Sequence, residues 1–265
     1  MPFDENGFLG NQASALAKNI FERHKDLFTL CYEINRFAEM TKFKFSPHSE
    51  NRQELVSTCL YIKFLEGIQA VIILVKAGLD ADAQIVLRGA FETLIHLVLC
   101  VKEKDYSYRY LMRYDVNRLA LLKKARDRKE SDGVWADMYK LATEEEIMKL
   151  EKEIKEKGIT IKNFREEFKI KQLAKKAKLE KLYDSFYTVV SDYAHTNPLS
   201  LKRYVTTDKE VIICQLNHGP CDDFVESNLV ATFEFSLVAL SAMCELFKID
   251  KDSEIKEMHY RLKAL

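Results

Sequence analysis

Glycine and proline are nearly missing from this chain: 8 and 4 among 265 residues. Sheets joined by tight turns need glycine, proline and asparagine at the turn positions. The shortage therefore excludes an all-β architecture and favours long helices. An excess of charge is missing too, since 41 basic residues face 41 acidic ones. Global attraction to nucleic acid or to an anionic membrane is thereby excluded, and only a local patch would supply it. No Cys-x-x-C pair exists. Cys31, Cys59, Cys100, Cys214, Cys221 and Cys244 are scattered, mostly in apolar runs, and read as reduced thiols rather than as a disulfide framework or a zinc site.

The motif inventory is also thin. There is no glycine-rich phosphate loop, no dinucleotide fingerprint, no His-Glu-x-x-His and no Gly-x-Ser-x-Gly. A di-iron bundle needs Glu-x-x-His pairs on facing helices, and the Glu92–His96 and Glu254–His259 spacings do not supply them. No cofactor and no metal are expected. Met1–Glu5 is acidic and lacks the apolar stretch of a signal peptide. Ile68–Val75 is too short to span a bilayer, and Leu229–Phe247 carries Glu234 and Glu245, which are costly there. Neither is read as a membrane segment, and a cytoplasmic location is expected.

What remains is 47% hydrophobic and 31% charged, the balance of a globular domain with a busy surface. The reading is one all-α domain over residues 1–265, a bundle of about seven or eight helices. Helical spacing of Leu16, Ile20, Leu27, Leu30, Ile34 and Phe37 predicts a first helix from Gln12 to Met40. A second runs to Lys76 and stops at Gly78. Asp80 then caps a third, to Lys102, so the two form an antiparallel hairpin. A fourth covers Tyr106–Arg128. A sixth runs from Leu179 to His195 and stops at Asn197-Pro198. Residues 203–216 alternate weakly, as a short β-hairpin would. A long helix to Lys248 and a short one over Ser253–Leu262 close the chain.

The stretch 143–178 differs. It is rich in Lys and Glu and reads as an exposed, mobile insertion. Between Lys162 and Lys181 eight basic residues stand against three acidic ones. Lys171, Lys175, Lys176 and Lys178 make a candidate phosphate-backbone patch, although such a run also suits a solvated helix face.

The third helix carries the sharpest signal. It is apolar all round, as a central helix is, yet Gln84, Arg88, Glu92 and His96 recur every fourth residue. Each step of four turns about 40°, so they form one drifting polar stripe. Burying such groups is expensive unless they are paired. Two readings are open: an internal Arg88–Glu92 pair with His96 hydrogen-bonded, or a cleft that recruits partners from other helices. A second polar row on the sixth helix, Asp184, Thr188, Ser191 and His195, suits a solvated face, but the helix end from Ser191 to Pro198 also gathers Tyr193 and Asn197 beside Ser191 and His195. A histidine at a helix C-terminus has its cationic form favoured by the dipole, which suits a general acid or a phosphate ligand.

Leu87-Arg88-x-x-x-Glu92, followed by Tyr187-x-x-x-Ser191-x-x-x-His195, resembles a group of uncharacterised bacterial helical proteins known only as a domain of unknown function. The likeness spans about residues 55–200. It implies an all-helical fold with this Arg, Glu and His as polar positions, and no established reaction. The set also resembles the HEPN ribonucleases by analogy, but seven residues separate Arg88 from His96 where that signature has four to six, and no arginine precedes His195 at the right spacing.

These residues support two functional expectations. One is a helical module that binds a ligand or partner, in a setting of bacterial defence or stress, with Gln84, His96, Ser191, Tyr193 and Asn197 as binding positions. The other is a metal-independent nuclease or phosphodiesterase, in which Arg88 stabilises negative charge, His195 moves the proton and Glu92 orients or deprotonates. An RNA, a protein or a second copy of the chain is the expected partner.

Overall fold

A computed structural model of the chain describes residues 5–128, 135–187, 190, 198–207, 213–217 and 219–265. Its elements are α1 (Asn11–Arg23), α2 (Lys25–Lys42), α3 (Arg52–Lys76), α4 (Asp80–Lys102), α5 (Tyr106–Arg128), α6 (Ala136–Leu141), α7 (Glu144–Glu156), α8 (Ile161–Glu167), α9 (Ile170–Ala177) and α10 (Glu180–Leu182). They continue with β1 (Val205–Thr207), β2 (Ile213–Leu216), α11 (Val225–Phe247) and α12 (Asp252–Lys263). The fold is all-α apart from the antiparallel β1–β2 hairpin, with more and shorter helical segments than the sequence suggested.

The core is built where the sequence is most apolar. α4 packs against both α3 and α11, which also pack on each other, and Leu87, Phe91, Leu94, Ile95, Leu97 and Leu99 are buried around its circumference. Each such side chain contributes about 1.5–3 kcal/mol by leaving water. Phe91 joins Phe235 and Phe186 in an aromatic cluster, with ring centroids 5.0 and 6.3 Å away. α3, α4 and α11 are each long and apolar enough, by length and composition, to cross a membrane. In the fold, 44, 72 and 61% of their most apolar windows are buried.

The two ends of α4 are pinned by side chains from its neighbours. At its C-terminus, Gln53 of α3 donates its amide to the carbonyls of Cys100 and Val101, both at 2.8 Å, satisfying carbonyls a helix end leaves open. At its start, Leu79 takes the N-cap position and Asp80 is the first helical residue, a correction to the expected cap. The reason is tertiary. The Asp80 carboxylate is fully buried and accepts from the backbone N–H groups of Ala81 and Phe224 at 2.9 and 3.0 Å. Asn228 donates to the Asp80 carbonyl. Gly78, at φ +76°, completes the junction. A Cβ there would collide with Pro220.

Two expected helices differ from what forms. The first breaks at His24, with no glycine or proline to announce it. Arg23 and His24 turn toward Asp222 and Glu226 of the chain entering α11. The sixth is in its described part a single turn, α10, running into a π-helical turn at Tyr183–Tyr187.

The charged stretch 143–178 forms α7, α8 and α9 against the body of the fold. Its few apolar residues are spaced so that each short helix offers some inward, and Leu150, Ile154, Phe164, Phe168 and Leu173 are buried. Its charges pair across to α5 and the α4–α5 junction: Arg118–Glu146, Lys123–Glu151, Lys157–Asp115, Arg109–Glu167 and Lys176–Glu103.

Candidate functional site

α3, α4 and α5 enclose a half-open groove of about 670 Å³. That volume lies within the usual range for small-molecule sites, roughly 300–1,000 Å³. α3 contributes Lys63 and Gly67. α4 contributes Ile85, Val86, Gly89, Ala90, Glu92, Thr93 and His96. α5 contributes Tyr110, Leu111, Arg113, Tyr114 and Asn117. The two glycines set its shape. A Cβ on Gly67 would touch Ala90 at 3.4 Å, so this glycine lets α3 and α4 approach. A Cβ on Gly89 would meet nothing within 4 Å, so this glycine leaves the groove open.

Two polar networks flank the groove. In the first, Arg88 Nη2 donates to Tyr187 Oη at 2.8 Å, and Tyr187 Oη donates to Glu92 Oε1 at 2.7 Å. Arg88 and Glu92 also pair directly at 3.1 Å. The guanidinium sits over the Tyr187 ring, 5.1 Å from its centroid. Burial, then hydrogen bonding to Glu92, pushes the Tyr187 hydroxyl up to about 12, so it stays protonated and able to donate. The π-helical turn that ends at Tyr187 brings this ring onto α4. Arg88 Nε is buried with no hydrogen-bond partner among the described residues.

The second network contains His96, which is buried. Its Nδ1 lies 2.8 Å from Tyr106 Oη and its Nε2 lies 2.8 Å from Arg113 Nη1. A guanidinium has only donors. Nε2 must therefore accept, the ring proton is on Nδ1, and that proton goes to Tyr106. Burial first, then the Arg113 and Lys63 charges, pushes His96 down to about 3, so the ring is neutral. Arg113 is thus held by a neutral acceptor, and its guanidinium lies over the Phe168 and Tyr110 rings at 5.1 and 5.9 Å.

The stripe on α4 is therefore divided. Glu92 and His96 face the groove, Arg88 turns to Tyr187, and Gln84 is buried with its Oε1 unpartnered among the described residues. His195, Ser191, Tyr193 and Asn197 lie outside the described residues. Lys171, Lys175 and Lys178 are exposed, and Lys176 pairs with Glu103. Sequence reasoning missed Arg113, Lys63, Tyr106, Tyr110 and Asn117. One signal was available: Tyr106, Tyr110, Arg113, Tyr114 and Asn117 recur at i, i+4, i+7, i+8 and i+11, one polar-aromatic face of α5.

No curated protein and no solved structure matches the chain. The sequence model of a family of unknown function, DUF5677, matches residues 54–212, a span that includes every residue lining the groove as well as Arg88 and Tyr187. With more than half of its length matched, the chain belongs to the family of unknown function DUF5677.

Proposed function

We propose that this domain is a small-molecule-binding module whose site is the groove between α3, α4 and α5. The observation that carries the reading is the combination of a groove of this volume with a glycine, Gly89, that leaves its floor bare, and with side chains already held in place around it. Binding sites combine apolar walls with a few fixed polar groups. Here Ile85, Val86, Leu111 and Tyr114 are the walls, and His96, Arg113, Glu92 and Asn117 the polar groups. Burial of most of the apolar windows of α4 and α11, 72 and 61%, supports a soluble domain. The alternative, a metal-independent nuclease, needs Arg88 free to meet a phosphate. Its engagement by Glu92 and Tyr187 favours binding over cleavage.

The test is a blocked groove. A Cβ at Gly89 meets nothing within 4 Å, so Gly89→Phe directs a ring from that open position to fill the groove, while Gly89→Ala leaves the groove open. Ligand-observed NMR with a panel of aryl and alkyl acids, amides and alcohols should give binders to wild type and Gly89→Ala that are lost in folded Gly89→Phe. Binders retained by Gly89→Phe would place binding elsewhere and overturn the reading.

A further inference from the structure

Resting on that reading of the groove, we infer that its ligand carries a carboxylate or phosphate head, held by the Arg113 fork with Lys63 on the opposite wall, and an apolar body lying along Ile85 and Tyr114. Arg88, Arg109 and Arg118 each have a carboxylate partner. Arg113, half-buried at the groove, has none among the described residues, and neither does Lys63. Arg113's one hydrogen-bond partner is His96 Nε2, which is uncharged.

An arginine fork has five donors, and one contact to His96 leaves the others for a planar, two-oxygen acceptor. The fork is also fixed in direction. The Arg113 fork fixes the His96 tautomer, Tyr106 accepts the Nδ1 proton and holds the ring that takes one arm of Arg113, and the Phe168 ring lies 5.1 Å from the guanidinium carbon. This is preorganisation of a kind that reduces the ordering cost of binding. His96 and Tyr106 are positioning residues, acting on the ligand through Arg113.

Glu92 is the one carboxylate in the lining, and it would oppose an anion if its charge were free. It is not free, because Arg88 and the Tyr187 hydroxyl both engage Oε1. The groove therefore presents two uncompensated positive charges. The walls beside them are apolar, with Ile85 and Tyr114 exposed to solvent at 44 and 70%, so an apolar body gains by covering them.

The experiment compares matched probes by isothermal titration and NMR: phenylacetate and benzyl phosphate as the anions, phenylacetamide and benzyl alcohol as their neutral counterparts. Wild type is expected to bind at least one anion about tenfold more tightly than its neutral counterpart, the step that one charge-assisted contact supplies. The two anions separate a carboxylate from a phosphate preference. Arg113→Gln, whose amide can still donate to His96, should remove that selectivity; Arg113→Lys should keep part of it. Tyr106→Phe, which does not touch the groove, should alter the His96 ring ¹⁵N shifts and lower the anion-to-amide ratio while leaving amide affinity unchanged. A purely structural role for Tyr106 would lower both affinities together.

Equal binding of anion and amide by wild type, or selectivity surviving Arg113→Gln, would overturn the assignment of ligand class. If Gly89→Phe still abolished binding, the groove itself would stand. Absence of binding by all four probes, or binding that Gly89→Phe leaves intact, would sink both.

Discussion

Replacing Tyr187 with Phe removes a single oxygen from the centre of the Arg88–Glu92 network and leaves the ring in place. The hydroxyl accepts from Arg88 at 2.8 Å and donates to Glu92 at 2.7 Å. Hydrogen bonds to charged groups contribute about 1.5–3 kcal/mol each when well formed. Two considerations lower the total. The side chains of Arg88 and Glu92 are 26 and 31% exposed, so water replaces part of what is lost, and their direct pair at 3.1 Å survives. The expected cost is about 1–2 kcal/mol, after discounting for solvent screening. For a chain of this size that lowers Tm by about 2–6 °C. Urea unfolding of wild type, Tyr187→Phe, Glu92→Gln and the double variant closes a cycle whose coupling should exceed about 0.5 kcal/mol. Additivity within about 0.3 kcal/mol would show that the hydroxyl does not bridge the pair, and the geometry argued for Glu92's neutralisation would fail with it.

Other perturbations probe the same structure. His96 is neutral in the fold, with its pKa pushed down to about 3, whereas the unfolded chain binds a proton there below about pH 6.5. Its contribution is therefore complete above pH 6.5 and is lost as pH falls toward 3. Between pH 7.5 and 5, wild type should lose about 2 kcal/mol more than His96→Gln in denaturant melts; equal losses would mean His96 is not held neutral. Gly78→Ala forces a Cβ to within 2.9 Å of Pro220 Cα at a φ of +76°. Strain and overpacking together should cost about 2–4 kcal/mol, seen as a lower urea midpoint, and an unchanged midpoint would contradict the junction as described. Gly89→Ala meets no neighbour and should instead stabilise by about 0.5–1 kcal/mol through helix propensity, measured the same way.

Much of the fold is legible in the chain because its cues are local. Gly78 between two apolar runs marks the α3–α4 hairpin, and the all-round apolar character of α4 marks the centre of the core. The break at His24 is not local. The apolar spacing runs through it, and the bend is set by Asp222 and Glu226, some two hundred residues away. The site divides in the same way. Arg88 and Glu92 are neighbours by helical spacing alone, so their pairing can be read from the sequence. Tyr187, 95 residues beyond Glu92, joins them only through the packing of the π turn on α4. Likewise each face of α4 and α5 is visible in periodicity, but nothing in either helix says that His96 meets Arg113.

The π turn at Tyr183–Tyr187 sets the rotational phase at which the chain presents its side chains to α4. A π turn inside helical chain amounts to one inserted residue, and one residue of an α-helix is about 100° of rotation. Rewinding 183–187 as ordinary α-helix with no residue removed would turn that extra residue into rotation. It would also swing the Tyr187 hydroxyl about a quarter-turn away from Arg88 and Glu92, with every side chain of that network intact. Glu92 would keep its direct pair with Arg88 at 3.1 Å but lose the hydroxyl that donates to it, leaving the carboxylate on the groove with more of its acceptor capacity open. A change of winding on α10's side of the molecule would thus loosen a network that flanks a groove formed by α3, α4 and α5.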